Sequence, residues 1–170
     1  MVEWQTRMAQ THVARKSRES SSLSQRTERE KKMGNVKQVI VIRKDLKMRR
    51  GKEIAQGAHA SIAFLTSHLS KLGGASKLHP QDEKLFACAF ITQAESEWIQ
   101  GNFRKICCIV NSEEELLALV GKAKAAQVTC ELIQDSGLTE FGGTPTYTAA
   151  AFGPDYDENL DPITGELVLY

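Results

Sequence analysis

Residues Val39–Ser61 read VIVIRKDLKMRRGKEIAQGAHAS. The four β-branched residues Val39 to Ile42 form an apolar run that predicts a buried strand, Lys37–Ile42. A loop carrying Arg43, Lys44, Lys47, Arg49 and Arg50 follows, and a helix is predicted from Lys52 to about Ser70. On that helix Lys52, Gln56 and His59 fall at i, i+4 and i+7, on one face. Ile54, Ala58, Ile62, Leu65, Leu69 and Leu72 fall on another, which is the stripe expected to meet the core. Lysine at a helix start opposes the helix dipole. A bound phosphate or carboxylate would remove that penalty and accept from the free amides. The plainer alternative is a solvated amphipathic helix behind a charged loop.

Outward from this stretch the chain alternates strands and helices. Gly73-Gly74 and His79-Pro80 mark a break. Leu85–Ile91 is apolar and fits either strand or helix, and Ala94–Gln100 reads as a short helix carrying Trp98. Lys105–Val110 reads as a strand covered on both faces. Ser112 and Glu115 form an S-x-x-E capping box for a helix whose stripe is Leu116, Leu119, Val120 and Ala123. Glu113 to Glu115 suit its positive end, and Lys122 and Lys124 the other. Strand Val128–Gln134, a turn at Asp135-Ser136-Gly137, a glycine-rich loop and strand Tyr147–Phe152 follow. The loop before this last strand is too short for a helical crossover, so the strand is expected antiparallel to its predecessor. Leu160–Tyr170 reads as a short turn and edge strand. The expected architecture is a three-layer α-β-α fold of the α/β class: a mixed sheet of about four strands with helices on both faces.

The chain has 170 residues, enough for one domain with a core, with 41% hydrophobic and 25% charged residues. The net charge of +1 conceals an asymmetry, because residues 1–35 carry eight Lys and Arg against four Asp and Glu. Residues 36–170 are therefore not broadly basic, and nucleic-acid contact would have to be a local patch. The extension 1–35 is rich in Ser, Arg, Gln, Thr and Lys and reads as disordered or partly helical. One alternative is an organelle-targeting segment, against which Glu3, Glu19, Glu28 and Glu30 count; another is a start at Met33. No apolar run approaches the roughly 20 residues of a membrane span. Cys88, Cys107, Cys108 and Cys130 are expected to be reduced and mostly buried, with no Cys/His spacing suited to zinc.

Two further groups accompany the opening stretch. Asp135 sits at the carboxyl end of a strand, as does Arg43, and ligands in α/β sheets bind outside such ends. Asp-Ser-Gly is equally an ordinary turn. Thr144, Thr146 and Thr148 alternate, so they share a strand face, either as β-formers or as hydroxyls lining a cleft beside Asp135. A lysine, a carboxylate and a hydroxyl together could orient and activate a water, or activate the hydroxyl itself.

The stretch Val39–Ser61, LIQDSGLTE at Leu132–Glu140, TAAAFGP at Thr148–Pro154 and PITGELVLY at Pro162–Tyr170 together resemble the class II peptidyl-tRNA hydrolase family. The Gly-Gly-Thr-Pro-Thr loop and the Trp98 segment look like its bacterial and phage-like branch. The resemblance spans roughly Lys37–Tyr170. It implies hydrolysis of the ester joining a peptide to the 3′ end of tRNA, with no metal or organic cofactor, in the cytoplasm, by a monomer or homodimer. It implies catalytic roles for Lys52, His59, Asp135, Thr139 and Thr148. Arg43, Lys47, Arg49, Arg50, Gln56 and Thr146 would bind the substrate, the cations on phosphates of the acceptor stem. Arg49-Arg50 stand where the family has glycine-lysine, Ser136 replaces its alanine, and Glu140 replaces its glutamine. The loop before Thr148 is one residue longer, which makes Thr146 a rival for the same role. Two other classes remain open: a tRNA-binding module that lost activity, which Glu140 favours, and a protein-interaction adaptor using the basic extension or an apolar surface near Trp98.

Overall fold

A computed structural model describes residues 35–71, 76–77, 85–86 and 89–170. The expectations for residues 1–34, the Gly73-Gly74 and His79-Pro80 break, Cys88 and Leu72 lie outside these residues; within Leu85–Ile91 only residues 87 and 88 do, and Leu85–Phe86 is a strand. Strand β1 is Val36–Arg43, helix α1 Arg50–Lys71, and β2 Ser76–Lys77 pairs with β3 Leu85–Phe86. Then come α2 Gln93–Gln100, β4 Lys105–Val110, α3 Glu113–Ala125, β5 Cys130–Asp135, β6 Thr146–Tyr156 and α4 Asp157–Thr164. The main sheet has the order β4-β1-β6-β5. β1 and β4 are parallel, and β6 is antiparallel to both β1 and β5, as the short loop before it requires.

Alternation along β1 builds the three layers. Val39 and Val41 face a core completed by Leu116, Leu119 and Val120 of α3 and Leu160 and Ile163 of α4. Ile40 and Ile42 face the other way, onto Met48, Ala60 of α1 and Ala149 and Ala151 of β6. Val36, Phe64, Ala94 and Trp98 seat α2 beside α1. Two ties hold the edges of these layers. Lys37, buried at the start of β1, pairs with Asp161 and Asp157 of α4. The fully buried Glu95 closes a capping box with Thr92 and lies 3.2 Å from His68 Nε2.

Three expectations are corrected. First, α1 does not bury the stripe Ile54-Ala58-Ile62. Ile54 is 67% and Ile62 54% exposed, and the buried side is Gln56, Ala60 and Phe64. The helix lies over the alanines of β6, with Ala60 packed against Ala149 and Ala151, and those small side chains leave room for Gln56 beneath it. Polar ties hold it there: Gln38 Nε2 donates to the Ser61 carbonyl (3.0 Å), and the Ser61 hydroxyl donates back to Gln38 Oε1 (3.1 Å). Second, β4 is not covered on both faces. It lies at one end of the strand order, with Cys108 buried and Cys107 exposed. The chain terminus meets its edge through Ile109 N–H to Val168 O and Tyr170 N–H to Cys107 O, both 2.9 Å, as an isolated bridge at Leu169 that follows a helix through Thr164, in place of the expected turn and edge strand. Third, Trp98 is not itself exposed, and the apolar surface beside it is carried by Phe103, 47% exposed with its ring centre 4.5 Å from that of Trp98. Trp98 is 3% exposed, packs edge-on to Phe64, and donates its Nε1–H to Arg104 O at 2.9 Å. The Ser112 cap forms as expected, with its hydroxyl accepting from Glu115 N–H (3.1 Å), but Glu115 reaches back to Asn111 N–H (2.8 Å).

This seating of α1 predicts opposite responses from two neighbouring apolar residues. Phe64→Ala should cost about 3–5 kcal/mol, and Ile62→Ala about 0.5 kcal/mol or less. Denaturant unfolding of the two variants measures the difference.

Candidate functional site

Because β1 and β5 run the same way, their carboxyl ends meet the start of β6 at one edge of the sheet. The amino end of α1 lies over that edge. Lys52 Nζ donates to Asp135 Oδ2 at 2.5 Å and to Thr139 Oγ1 at 3.0 Å. Gln56 Nε2 donates to the same Asp135 oxygen at 2.9 Å, and Thr148 Oγ1 donates to Gln56 Oε1 at 2.7 Å. The Lys52 and Asp135 side chains keep only 15% and 13% of their exposure. The ammonium also lies 5.8 Å from the centre of the Phe141 ring, within cation–π range.

Asp135 accepts from a third donor, the Gly137 N–H, at 2.9 Å from Oδ1. Gly137 adopts φ +81°, and a Cβ there would lie 2.2 Å from the Thr144 carbonyl oxygen, so the turn admits only glycine. Its own carbonyl accepts from Phe141 and Gly143 N–H, folding the loop back on itself. The Lys52 ammonium first, and then the Gly137 amide, hold the Asp135 carboxyl below its ordinary pKa.

A β-bulge aims Thr148. Pairing shifts between Ile133, opposite Ala149, and Gln134, opposite Tyr147, so Thr148 is the extra residue. Tyr147 packs on the α3/α4 side of the sheet and Ala149 on the α1 side. The inserted residue breaks the alternation and turns the Thr148 hydroxyl towards α1 and Gln56.

The structure thus brings together Lys52, Gln56, Asp135, Thr139 and Thr148. It does not bring Arg43 into that group. The Arg43 guanidinium is buried and held by Asp45, by Glu113 at 2.6 Å and by the Tyr147 carbonyl at 3.0 Å. His59 is exposed, more than half a turn of helix beyond Gln56, outside the hydrogen-bonded cluster. Thr146 turns its hydroxyl to the Thr144 carbonyl (2.9 Å). Lys47 and Arg50 are exposed beside the site, Lys47 at φ 48°. Arg49 Nε donates to Glu140 Oε1 at 2.6 Å. That pair joins residues 91 positions apart, and no local spacing announces it. Lys44 is likewise occupied, 2.7 Å from the Tyr170 hydroxyl and 3.6 Å from Glu53. Among the described residues no group of three His, Cys, Asp or Glu is arranged to hold a metal ion, and no helix is long and apolar enough to cross a membrane.

Residues 36–170 match the family model described as Peptidyl-tRNA hydrolase PTH2. A peptidyl-tRNA hydrolase of Methanocaldococcus jannaschii is 38% identical over 135 residues, which are 79% of this chain and 99% of that protein. Those of Haloquadratum walsbyi and Nanoarchaeum equitans are 36% and 38% identical over 135 residues, 79% of this chain and 100% and 99% of theirs. These relatives are archaeal, and neither they nor the family match supports the bacterial and phage-like branch.

The lowered Asp135 pKa has a thermodynamic signature. Its contribution to stability is complete above the unfolded aspartate pKa of about 4 and is lost as pH falls through the lower folded value. The stability difference between wild type and Asp135→Asn should therefore shrink on acidification. In a Lys52→Met background, where the main cause of the shift is gone, that pH-dependent component should be smaller. Urea unfolding from neutral pH to about pH 3 checks both.

Proposed function

We infer the chemistry of this site from one premise: the chain belongs to the peptidyl-tRNA hydrolase PTH2 family. It is a hydrolase that cleaves the ester between a peptide and the 3′ end of tRNA. The observation that carries the assignment of the site is the Lys52–Asp135 pair, with Thr139 beside it, at the sheet edge where β1, β5 and β6 meet.

Lys52 presents N–H donors where negative charge develops on the ester carbonyl oxygen as water attacks. Asp135, held ionised by its three donors, orients the attacking water. A carboxylate with a lowered pKa is a weak base near neutrality, so its part is orientation and charge balance more than full proton abstraction. Thr139 is exposed at 3.0 Å from Lys52 and contributes a hydroxyl that can reach the substrate. The water adds to the acyl carbon, the acyl–oxygen bond breaks, and the ribose oxygen departs as a hydroxyl. The ester is an activated bond, so this modest apparatus suffices.

Lys47, Arg49 and Arg50 form the cationic approach to the site and suit phosphates of the acceptor stem, which position without reading sequence. Arg43 serves instead as an internal brace for the loop. Glu140 does not argue for an inactive tRNA-binding module, because its charge is balanced by Arg49. The cytoplasm is the proposed place of action, with an organelle as the alternative that residues 1–35 would serve. One copy of the chain supplies every group of the cluster, so a monomer is the proposed working unit.

Steady-state cleavage of a purified peptidyl-tRNA tests this reading. Lys52→Ala should lower kcat by about 10²- to 10³-fold, and Asp135→Asn by about 10²-fold or more. Wild-type rates in both folded variants would remove the site from the reaction. The log of tRNA affinity should fall with log salt at a slope of about −2 to −3, and less steeply when Lys47, Arg49 and Arg50 are changed to alanine. Glu140→Gln, which frees Arg49, should tighten tRNA binding about twofold to fivefold at low salt.

A further inference from the structure

The hydrogen-bond logic behind Asp135 separates residues that touch the substrate from residues that aim the ones that do. The Asp135 carboxylate only accepts, so the end of the Gln56 amide that faces it at 2.9 Å is the NH2 group. The other end, Oε1, is then an acceptor facing Thr148 Oγ1 at 2.7 Å, so the threonine must be the donor. The other oxygen near Thr148, the Ile133 carbonyl, is 3.5 Å away, too far to compete. The single Thr148 proton is thus committed to an amide oxygen, which is far too weak a base to remove it. Thr148 is 0% exposed and Gln56 2%. Neither side chain meets solvent, whereas Lys52 and Asp135 are partly exposed and Thr139 is exposed.

We propose that Thr148 and Gln56 are positioning residues that act on the ester only through Asp135: the Thr148 hydroxyl sets the orientation of the Gln56 amide, and that amide sets the carboxylate. This rests on the hydrolase reading above and deepens it. Gln56 is then not a substrate contact, and Thr148 is not the nucleophile, which leaves water to attack. The two ends of an amide have nearly the same shape, so packing alone does not choose between them. The hydroxyl makes the choice, since a reversed amide would set oxygen against carboxylate and NH2 against the threonine donor. The bulge at Thr148 is the backbone device that delivers the hydroxyl to this place. Thr146, one alternation away, is spent on the Thr144 carbonyl.

Thr148→Val keeps the shape and removes the donor, and Thr148→Ser restores it. With peptidyl-tRNA as substrate, Thr148→Val should lower kcat roughly tenfold to a hundredfold, with KM within about twofold of wild type. Thr148→Ser should recover to within about threefold of the wild-type kcat. Carbon-13 NMR titration of the Asp135 carboxyl gives a readout that needs no turnover: its pKa should rise in Thr148→Val and return in Thr148→Ser. Unchanged kcat and unchanged Asp135 titration in Thr148→Val would overturn the proposal. So would an acyl group found on Thr148 by mass spectrometry of a quenched reaction, or a Thr148→Ser variant as impaired as Thr148→Val. Failure of the wild type to cleave peptidyl-tRNA would instead sink the hydrolase reading, and the titration would still decide whether the relay exists.

Discussion

The ion pair between Lys52 and Asp135 joins the amino end of α1 to the carboxyl end of β5, 83 residues further along the chain. Removing two charges from most of their water is costly, and the Coulombic attraction compensates only when the remaining hydrogen-bonding capacity is met. The surroundings are arranged to meet it. Gly137 and Gln56 complete the donors to Asp135, and Thr139 and the Phe141 ring face Lys52. Each of these partners makes its own demand in turn. Gly137 requires a backbone that no other residue adopts without collision, Gln56 requires a donor from Thr148, and Thr148 requires a bulge in β6. The glycine turn, the buried glutamine and the irregular strand are consequences of holding one pair of charges in one place.

The same constraint accounts for the way α1 lies on the sheet. A helix seated by hydrophobicity would bury Ile54 and Ile62. This one buries Gln56, Ala60 and Phe64, with Ser61 bonded to Gln38 of β1. Turning Gln56 inward places Lys52 one helical turn earlier on the same side, over Asp135. The alanines of β6 let the helix approach closely enough for those contacts. Packing energy is taken further along, where Phe64 meets Trp98 and Val36. The helix thus divides its length between a polar end that builds the site and an apolar end that anchors it.

The cations around the site are not equivalent, although they look alike in the chain. Arg43 lies at the end of a strand buried on both faces, where an arginine persists only with carboxylate and carbonyl partners, and Asp45, Glu113 and the Tyr147 carbonyl supply them. Arg49 keeps its guanidinium largely in water and balances Glu140. Lys47 and Arg50 point to solvent. An anion approaching the site meets a graded field in which the outermost charges have no ion-pair partner among the described residues and the inner ones are already paired.

What the sequence determined by itself was local. The period of the β-branched run, the Ser112 cap, the short loop before β6 and the i, i+4 placement of Lys52 and Gln56 each involve residues a few positions apart. From them the three layers, the antiparallel last strand and the position of Asp135 at a strand end follow. The ordered motifs, taken together, also pointed to the family. The tertiary structure alone decided which face of α1 is buried, that Cys107 is exposed, that Trp98 is enclosed, that Arg43 is a brace, and that Thr148 and not Thr146 joins the cluster. Each of these depends on contacts between residues tens of positions apart, or on a one-residue shift in strand register that turns a side chain to the opposite face. Hydropathy and spacing carry no record of such contacts, because the energy that settles them comes from partners brought together only when the chain has folded.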